Sequence, residues 1–203
     1  MATTMAPTMT TKIRRGRRSD AGAIGRVYVE TWQATYPGLL PDAMLARMSD
    51  VRQSAWWSRA LGDARESRGI FVADDEAMGV VGFGSCGPVR EIPEGLDGTE
   101  SRVGEVYTLY VEADFQNQGL GRRLLDAMLR QLQADGCDTA ILWMLADNPA
   151  RFFYEGLGGA PVGRRADRMA GTDVEEVAYA WRDLDAPLIR RKLAPEEHDE
   201  EEG

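Results

Sequence analysis

The stretch from Val106 to Leu132 constrains this chain most. Val106-Tyr107-Thr108-Leu109-Tyr110-Val111 has the β-branched and aromatic content of a strand. Gln116-Asn117-Gln118-Gly119-Leu120-Gly121 makes a glycine-containing turn, and the apolar run from Arg122 to Leu132 reads as a helix. A helix that starts out of glycine-rich backbone presents unpaired N–H groups and the positive end of its dipole. That is an anion cradle, and phosphate is its commonest occupant. Strand, turn and helix together point to an α/β architecture with a phosphate-bearing ligand.

The rest of the chain supplies one domain around this unit. Its 203 residues can bury a sizeable core. Ser19 and Asp20 are helix N-cap types, and Ile24, Val27, Tyr28 and Thr31 follow at helical spacing, which predicts a helix over about 21–34. Tyr36-Pro37-Gly38 breaks it, Pro41 opens a second helix, and a third covers about 51–62. Strands at 70–73 and 79–84 make a hairpin. The segment 88–103, rich in proline, glycine and acids, reads as a mobile connection. Gly136 ends the long helix, and Thr139 to Leu145 is a buried strand. A short helix follows from Pro149 to Gly158, and two strands near 161–168 and 174–183 close the fold. This is a mixed sheet with helices on its faces. The turn lacks G-x-G-x-x-G and no lysine follows its glycines, so neither a Rossmann unit nor a Walker A loop fits.

Charge and composition exclude several function classes. A net charge of −9 disfavours a broad nucleic-acid surface. No apolar run approaches the roughly 18 residues of a membrane span. The only histidine, His198, lies in the acidic run Glu196–Glu202, so no histidine triad or histidine metal site is expected inside the fold. Two cysteines, Cys86 and Cys137, are too few for a cysteine-only zinc site and read as small core residues. Free cysteines and the lack of a secretion signal suit a reducing cytoplasm. The first nineteen residues are Thr/Met-rich and then basic, and they faintly resemble a mitochondrial presequence. A short tail running into a first strand at Ile13-Arg14-Arg15 is the preferred reading, because the sheet needs that element. The expected organisation is a disordered tail over 1–11, the domain over 12–185, and an acidic disordered tail over 186–203.

Four blocks, in order, resemble one family. Gln116-x-x-Gly119-x-Gly121, preceded by Leu109-Tyr110-Val111-Glu112, is similar to the signature of the GNAT superfamily of N-acetyltransferases. Thr31-Trp32-Gln33-Ala34-Thr35-Tyr36-Pro37-Gly38-Leu39-Leu40-Pro41 resembles the family's first-helix segment, Asp147 to Glu155 its late helix, and Val177 to Trp181 its last strand. The resemblance implies an acyl-CoA N-acyltransferase-like fold: one mixed, mostly antiparallel sheet of about seven strands with helices on both faces. It also implies acetyl-CoA bound, without a metal, at a split between two central strands. In that setting the backbone of Asn117, Gln118, Gly119, Leu120, Gly121 and Arg122 holds the pyrophosphate, with Arg123 as a second cation. Leu109 and Val111, flanking Tyr110, pair with the pantetheine arm, and the Leu109 N–H polarises the thioester carbonyl. Gln116, Asn117 and Gln118 stand where relatives often carry Arg or Lys, which shifts the load to backbone and Arg122. Asp147 holds the position of a common CoA-contacting Asn, so that contact is expected of Asn148 instead.

Acetyl transfer to an amine moves two protons, and without a usable histidine the groups left are carboxylates and tyrosines. By resemblance, Tyr154 is the acid for the departing thiolate and Glu105 the general base, directly or through a water. The bland readings are a half-buried aromatic and a strand-end carboxylate paired with an arginine. Strand parity predicts Glu105, Tyr107, Leu109 and Val111 on one face unless a bulge intervenes. Trp32, Tyr36 and Tyr107 are expected at the acceptor, and the 88–103 segment as further contacts or a lid. The acceptor itself is a small-molecule or peptide amine, and dimers are common in the family. The alternatives are a non-catalytic acyl-CoA-binding or regulatory domain, and an interaction domain without a cofactor.

Overall fold

Two apolar runs flanking Glu76–Met78 pair as the predicted hairpin and anchor the sheet. A computed structural model of the chain describes residues 10–96, 102–169 and 171–185. Residues 1–9 of the expected N-terminal tail, the expected C-terminal tail, residues 97–101 of the connection, and His198 lie outside these, while Thr11 already belongs to the first strand. The strands are β1 (Thr11–Arg15), β2 (Ile70–Asp75), β3 (Gly79–Pro88), β4 (Val103–Val111), β5 (Thr139–Leu145), β6 (Ala160–Met169) and β7 (Thr172–Arg182). They form one sheet in the order β1-β2-β3-β4-β5-β7-β6. Only β4 and β5 run parallel; the other neighbours are antiparallel. Five α-helices cover it: α1 (Ala21–Thr35), α2 (Asp42–Leu45), α3 (Asp50–Ala60), α4 (Leu120–Ala134) and α5 (Arg151–Gly156).

Each face of the sheet has its own core. Leu124, Leu125, Met128 and Leu132 of α4 pack on Val106, Val111, Leu142 and Met144, with Tyr154 of α5 in the same cluster. On the other face, Ile24 and Val27 of α1 and Trp57 of α3 meet Val72, Val80 and Phe83. Cys86 belongs to the first core, and burial pushes its thiol up to about 12. Asp20 makes no side-chain cap for α1. Its carboxylate instead accepts from Arg14 of β1 at 2.7 and 3.0 Å, tying that strand to the helix start.

Helices α1 and α3 cross tightly at Gly25. A Cβ there would sit 2.4 Å from Ser54 Oγ and 2.8 Å from the Asp50 carbonyl oxygen. Leucine cannot fit without parting the helices. Gly25→Leu is expected to lower unfolding stability by about 2–3 kcal/mol, a drop of roughly 4–10 °C in Tm. Thermal melting of the variant checks this, and an unchanged Tm would contradict the crossing.

Two irregularities in the middle of the sheet shape everything that follows. First, β4 and β5 pair only at Val103–Thr139, Gly104–Ala140 and Glu105–Ile141. Beyond that they part, while β5 stays with β7 to the pair Leu145–Glu176. Second, Ser85 faces Thr108 but Cys86 faces Val106, which leaves Tyr107 bulged out of the β3–β4 ladder. The bulge corrects the parity expectation, because an extra residue reverses the alternation beyond it. Leu109 and Val111 face α4, but Glu105 and Tyr107 face the opposite side, where Tyr107 covers Gly87.

Candidate active site

The parted strands leave a cleft of about 1860 Å³ running through the sheet. Its edge on β4 is made of unpaired backbone. The Glu112 N–H donates to Val81 O at 3.0 Å, and the Tyr110 and Thr108 carbonyl oxygens lie against Gly82 and Gly84 of β3. Main-chain groups alternate between the two edges of a strand, so those of Leu109 and Val111 point into the cleft. Gln116 reaches back and donates its side-chain amide to Val111 O at 3.0 Å. One lone pair of that carbonyl stays available.

The turn after β4 has the backbone of an anion site. Asn117 and Gly119 take φ of 59° and 79°, the left-handed region that glycine and asparagine tolerate best. Gly119 is the N-cap of α4, and the first bond of the helix runs from Arg123 N–H to Gly119 O at 3.1 Å. The N–H groups of Leu120, Gly121 and Arg122 therefore sit in the first turn, before α-helical bonding begins. Gln118 braces the turn by donating to Asp114 O at 3.0 Å. No atom lies within 4 Å of where a Gly119 Cβ would sit, while a Gly121 Cβ would meet the Phe153 ring at 3.1 Å. Arg122 and Arg123 are exposed on the helix start, and no acid interrupts Gln116–Arg123. Converging N–H groups beside two guanidinium groups suit a pyrophosphate.

Tyr154 lines the cleft from α5. Its ring packs among Phe153, Tyr179 and Trp181. Burial, with a smaller contribution from Tyr36, holds its hydroxyl well above the ordinary phenol value. The group is therefore a proton donor at every physiological pH. Across the cleft, Tyr28, Trp32 and Tyr36 of α1 and its C-cap stack with ring centroids 5.3 and 4.8 Å apart. Asn148 is buried and lines the cleft. Its Oδ1 accepts from Ala150 N–H at 2.9 Å in the turn before α5, and its amide donates to Tyr36 Oη at 3.4 Å. Asp147 is exposed.

Glu105 sits differently from a poised base. Its side chain is 1% exposed, and it is not among the residues lining the cleft. Oε2 accepts from the Arg90 N–H at 2.9 Å, and Oε1 from Arg90 Nε at 3.0 Å and from its NH2 group. The Arg90 guanidinium also lies 4.6 Å over the Tyr107 ring. Tyr107 donates to Pro88 O at 2.5 Å, and its phenol is pushed up to about 12, chiefly by burial and then by the Glu105 charge. Glu105 is thus the arginine-paired strand-end carboxylate that was its bland reading.

Sequence reasoning missed a buried carboxylate that reaches the cleft. Glu176 of β7 is buried, lines the cleft, and is held by Arg165 of β6 at 2.7 Å. Arg165 in turn lies 4.1 Å over the Trp143 ring. The antiparallel pair Arg165–Glu176 follows from the β6–β7 register, which residue order alone does not fix. Arg90 was also missed, although the segment that carries it was expected near the acceptor.

The acetyltransferase (GNAT) family model matches residues 23–158. The uncharacterised N-acetyltransferase YuaI of Bacillus subtilis strain 168 is 33% identical over 175 residues, covering 86% of this chain and 94% of that protein. The chain belongs to the GNAT acetyltransferase family. Solved GNAT-like structures share its fold. The PaiA N-acetyltransferase of Thermoplasma acidophilum, in complex with coenzyme A, matches with a TM-score of 0.61 at 16% identity, over 86% of this chain and 99% of that one. YncA of Salmonella typhimurium, with its cofactor acetyl-CoA, also matches with a TM-score of 0.61, at 21% identity over 90% and 99% of the two chains. In this GNAT protein the parted β4 and β5 and the α5 tyrosine line one cleft, which Gln116, at the start of the turn to Gly119, also lines. No helix among the described residues is long and apolar enough to cross a membrane.

Proposed function

We propose that this GNAT acetyltransferase moves the acetyl group of acetyl-CoA to a primary amine, by direct attack in a ternary complex. The carrying observation is the shared cleft: Leu109 and Val111 of β4, Tyr154 of α5 and the aromatic wall of α1 all line it, as does Gln116, from which the chain turns through Gly119 into α4. The pyrophosphate takes the N–H groups of the α4 first turn, with Arg122 and Arg123 beside it. The pantetheine arm runs along Leu109 and Val111 as a further strand. The acceptor enters from the face of Trp32, Tyr36 and Tyr107.

The reaction balances on the groups present. The ammonium first loses a proton to solvent in the open cleft. The freed nitrogen pair forms the C–N bond, and the carbonyl electrons move onto oxygen, which the Leu109 N–H stabilises. The electrons return, the C–S bond breaks, and the thiolate takes the Tyr154 proton. The surplus proton on nitrogen then restores Tyr154. In this reading Glu105 is not the base; it fixes Arg90, which covers Tyr107.

Two measurements test the reading. Acetyl-CoA at about 100 times its Kd is expected to stabilise the fold by about 2.7 kcal/mol, seen as a higher Tm. Thiol release against a panel of primary amines is expected with at least one member. An unchanged Tm sinks the acetyl-CoA site. A raised Tm without turnover on any amine points to the non-catalytic acyl-CoA-binding alternative.

A further inference from the structure

The acceptor half of the cleft holds a carboxylate with no part in the transfer steps. Glu176 stands on β7 opposite Leu145, where β5 has already left β4. Leu145 clusters with Trp32, Tyr36 and Leu40, so Glu176 lies beside the aromatic wall of α1. Its side chain is 7% exposed. The one ion pair it makes among the described residues is with Arg165, through Oε2. Arg165 is shared, because its NH1 group also reaches Glu91. Asp167, two residues along β6 on the same face, lines the cleft as well. Arg165 is thus divided between Glu176 and Glu91, and Arg90, which also feels the Glu176 charge, is bound by Glu105. With Asp167, four carboxylates face two guanidinium groups.

A second observation points to a ligand of the matching kind. Arg165 engages only Oε2 of Glu176, and Oε1 accepts no hydrogen bond among the described residues. A carboxylate oxygen without a donor, on a side chain that lines the cleft, suits an arriving N–H donor. The field of Glu176 is felt at the acceptor wall: burial raises the Tyr36 phenol, Asn148 and Tyr110 lower it, and the Glu176 charge raises it further.

We infer that Glu176 is the acceptor-recognition residue, binding the amine as its ammonium before the proton is lost, and that the acceptors are alkyl amines protonated at neutral pH. The inference rests on the acetyl-transfer reading and adds the class of acceptor and the residue that selects it. Arg165 holds the carboxylate toward the cleft and moderates its pull. A charge-assisted hydrogen bond to a buried carboxylate discriminates between an ammonium and a neutral amine of similar shape.

The test compares phenethylamine, whose amine has a pKa of about 10 like that of lysine, with aniline, which is neutral at the same pH. Both carry a phenyl ring for the aromatic wall. With saturating acetyl-CoA, Glu176→Gln is expected to raise KM for phenethylamine about tenfold or more, and to change KM for aniline less than about twofold. An equal rise for both amines assigns Glu176 a purely structural role and overturns the inference, as does no rise for phenethylamine. Arg165→Gln keeps the carboxylate and removes its guanidinium, so KM for phenethylamine is expected to fall about threefold. A rise there overturns the inference even if Glu176→Gln does not fold. Should acetyl-CoA raise Tm while no amine of the panel is acetylated, the acetyl-transfer reading itself falls, and not this residue alone.

Discussion

Replacing Tyr154 by Phe is expected to lower kcat about 10²- to 10³-fold while the acetyl-CoA-induced rise in Tm persists. The substitution removes one oxygen and keeps the ring. That ring carries the packing against Phe153, Tyr179 and Trp181, so the fold loses little. What it loses is the proton for the departing thiolate. The wild-type pH profile gives a second readout with a definite sign. A hydroxyl whose pKa is raised by burial stays protonated beyond the ordinary phenol value of about 10. Wild-type kcat is therefore expected not to fall between about pH 8 and about pH 10 for want of an acid. A steep loss of kcat in that window, or an undiminished kcat in the Phe variant, would remove Tyr154 from this role.

Gly119→Val is expected to weaken acetyl-CoA binding about a hundredfold. Gly119 holds φ at 79°, and L residues pay about 1–2 kcal/mol there, more when β-branched. Relieving that strain swings the first turn of α4 and scatters N–H groups that converge on one anion. Charge-assisted hydrogen bonds are worth about 1.5–3 kcal/mol each, so losing one or two accounts for the factor. A matched control separates strain from binding. Gly79, in the β2–β3 hairpin far from the cleft lining, holds φ at 76°. Gly79→Val is expected to lower Tm comparably and leave acetyl-CoA affinity alone, by isothermal titration. Equal losses of affinity in both variants would mean that strain, not the cradle, is being measured.

The legible part of this protein was its local chemistry. The turn at Gly119, the helix after it, the hairpin and the buried strand β5 all follow from periodicity and glycine placement, which act over a few residues. The family blocks carried the overall sheet. What escaped was pairing over distance. The Glu105 partner, Arg90, comes from an aperiodic connection, and no spacing announces it. Tyr36 meets Asn148 across 112 residues of chain, so the side chain expected at the cofactor also holds the aromatic wall. Glu176 is one of several acids on a terminal strand, and its place at the cleft follows from the register that sets it opposite Leu145 and beside Arg165. The bulge at Tyr107 was foreseen as a contingency, and it alone reverses the faces assigned to half of β4.

That bulge works like a hinge pin between two independent jobs. In the proposed reading, the C-terminal part of β4 presents its backbone to the donor, whose arm is the same in every turnover. The N-terminal part, turned over by one unpaired residue, presents Tyr107 to the side where that reading brings the acceptor. Side chains on that side can change without disturbing the main-chain ladder that grips the donor. One strand can therefore keep a constant hold on its acyl source while the choice of amine drifts, and a new acceptor preference requires no new fold.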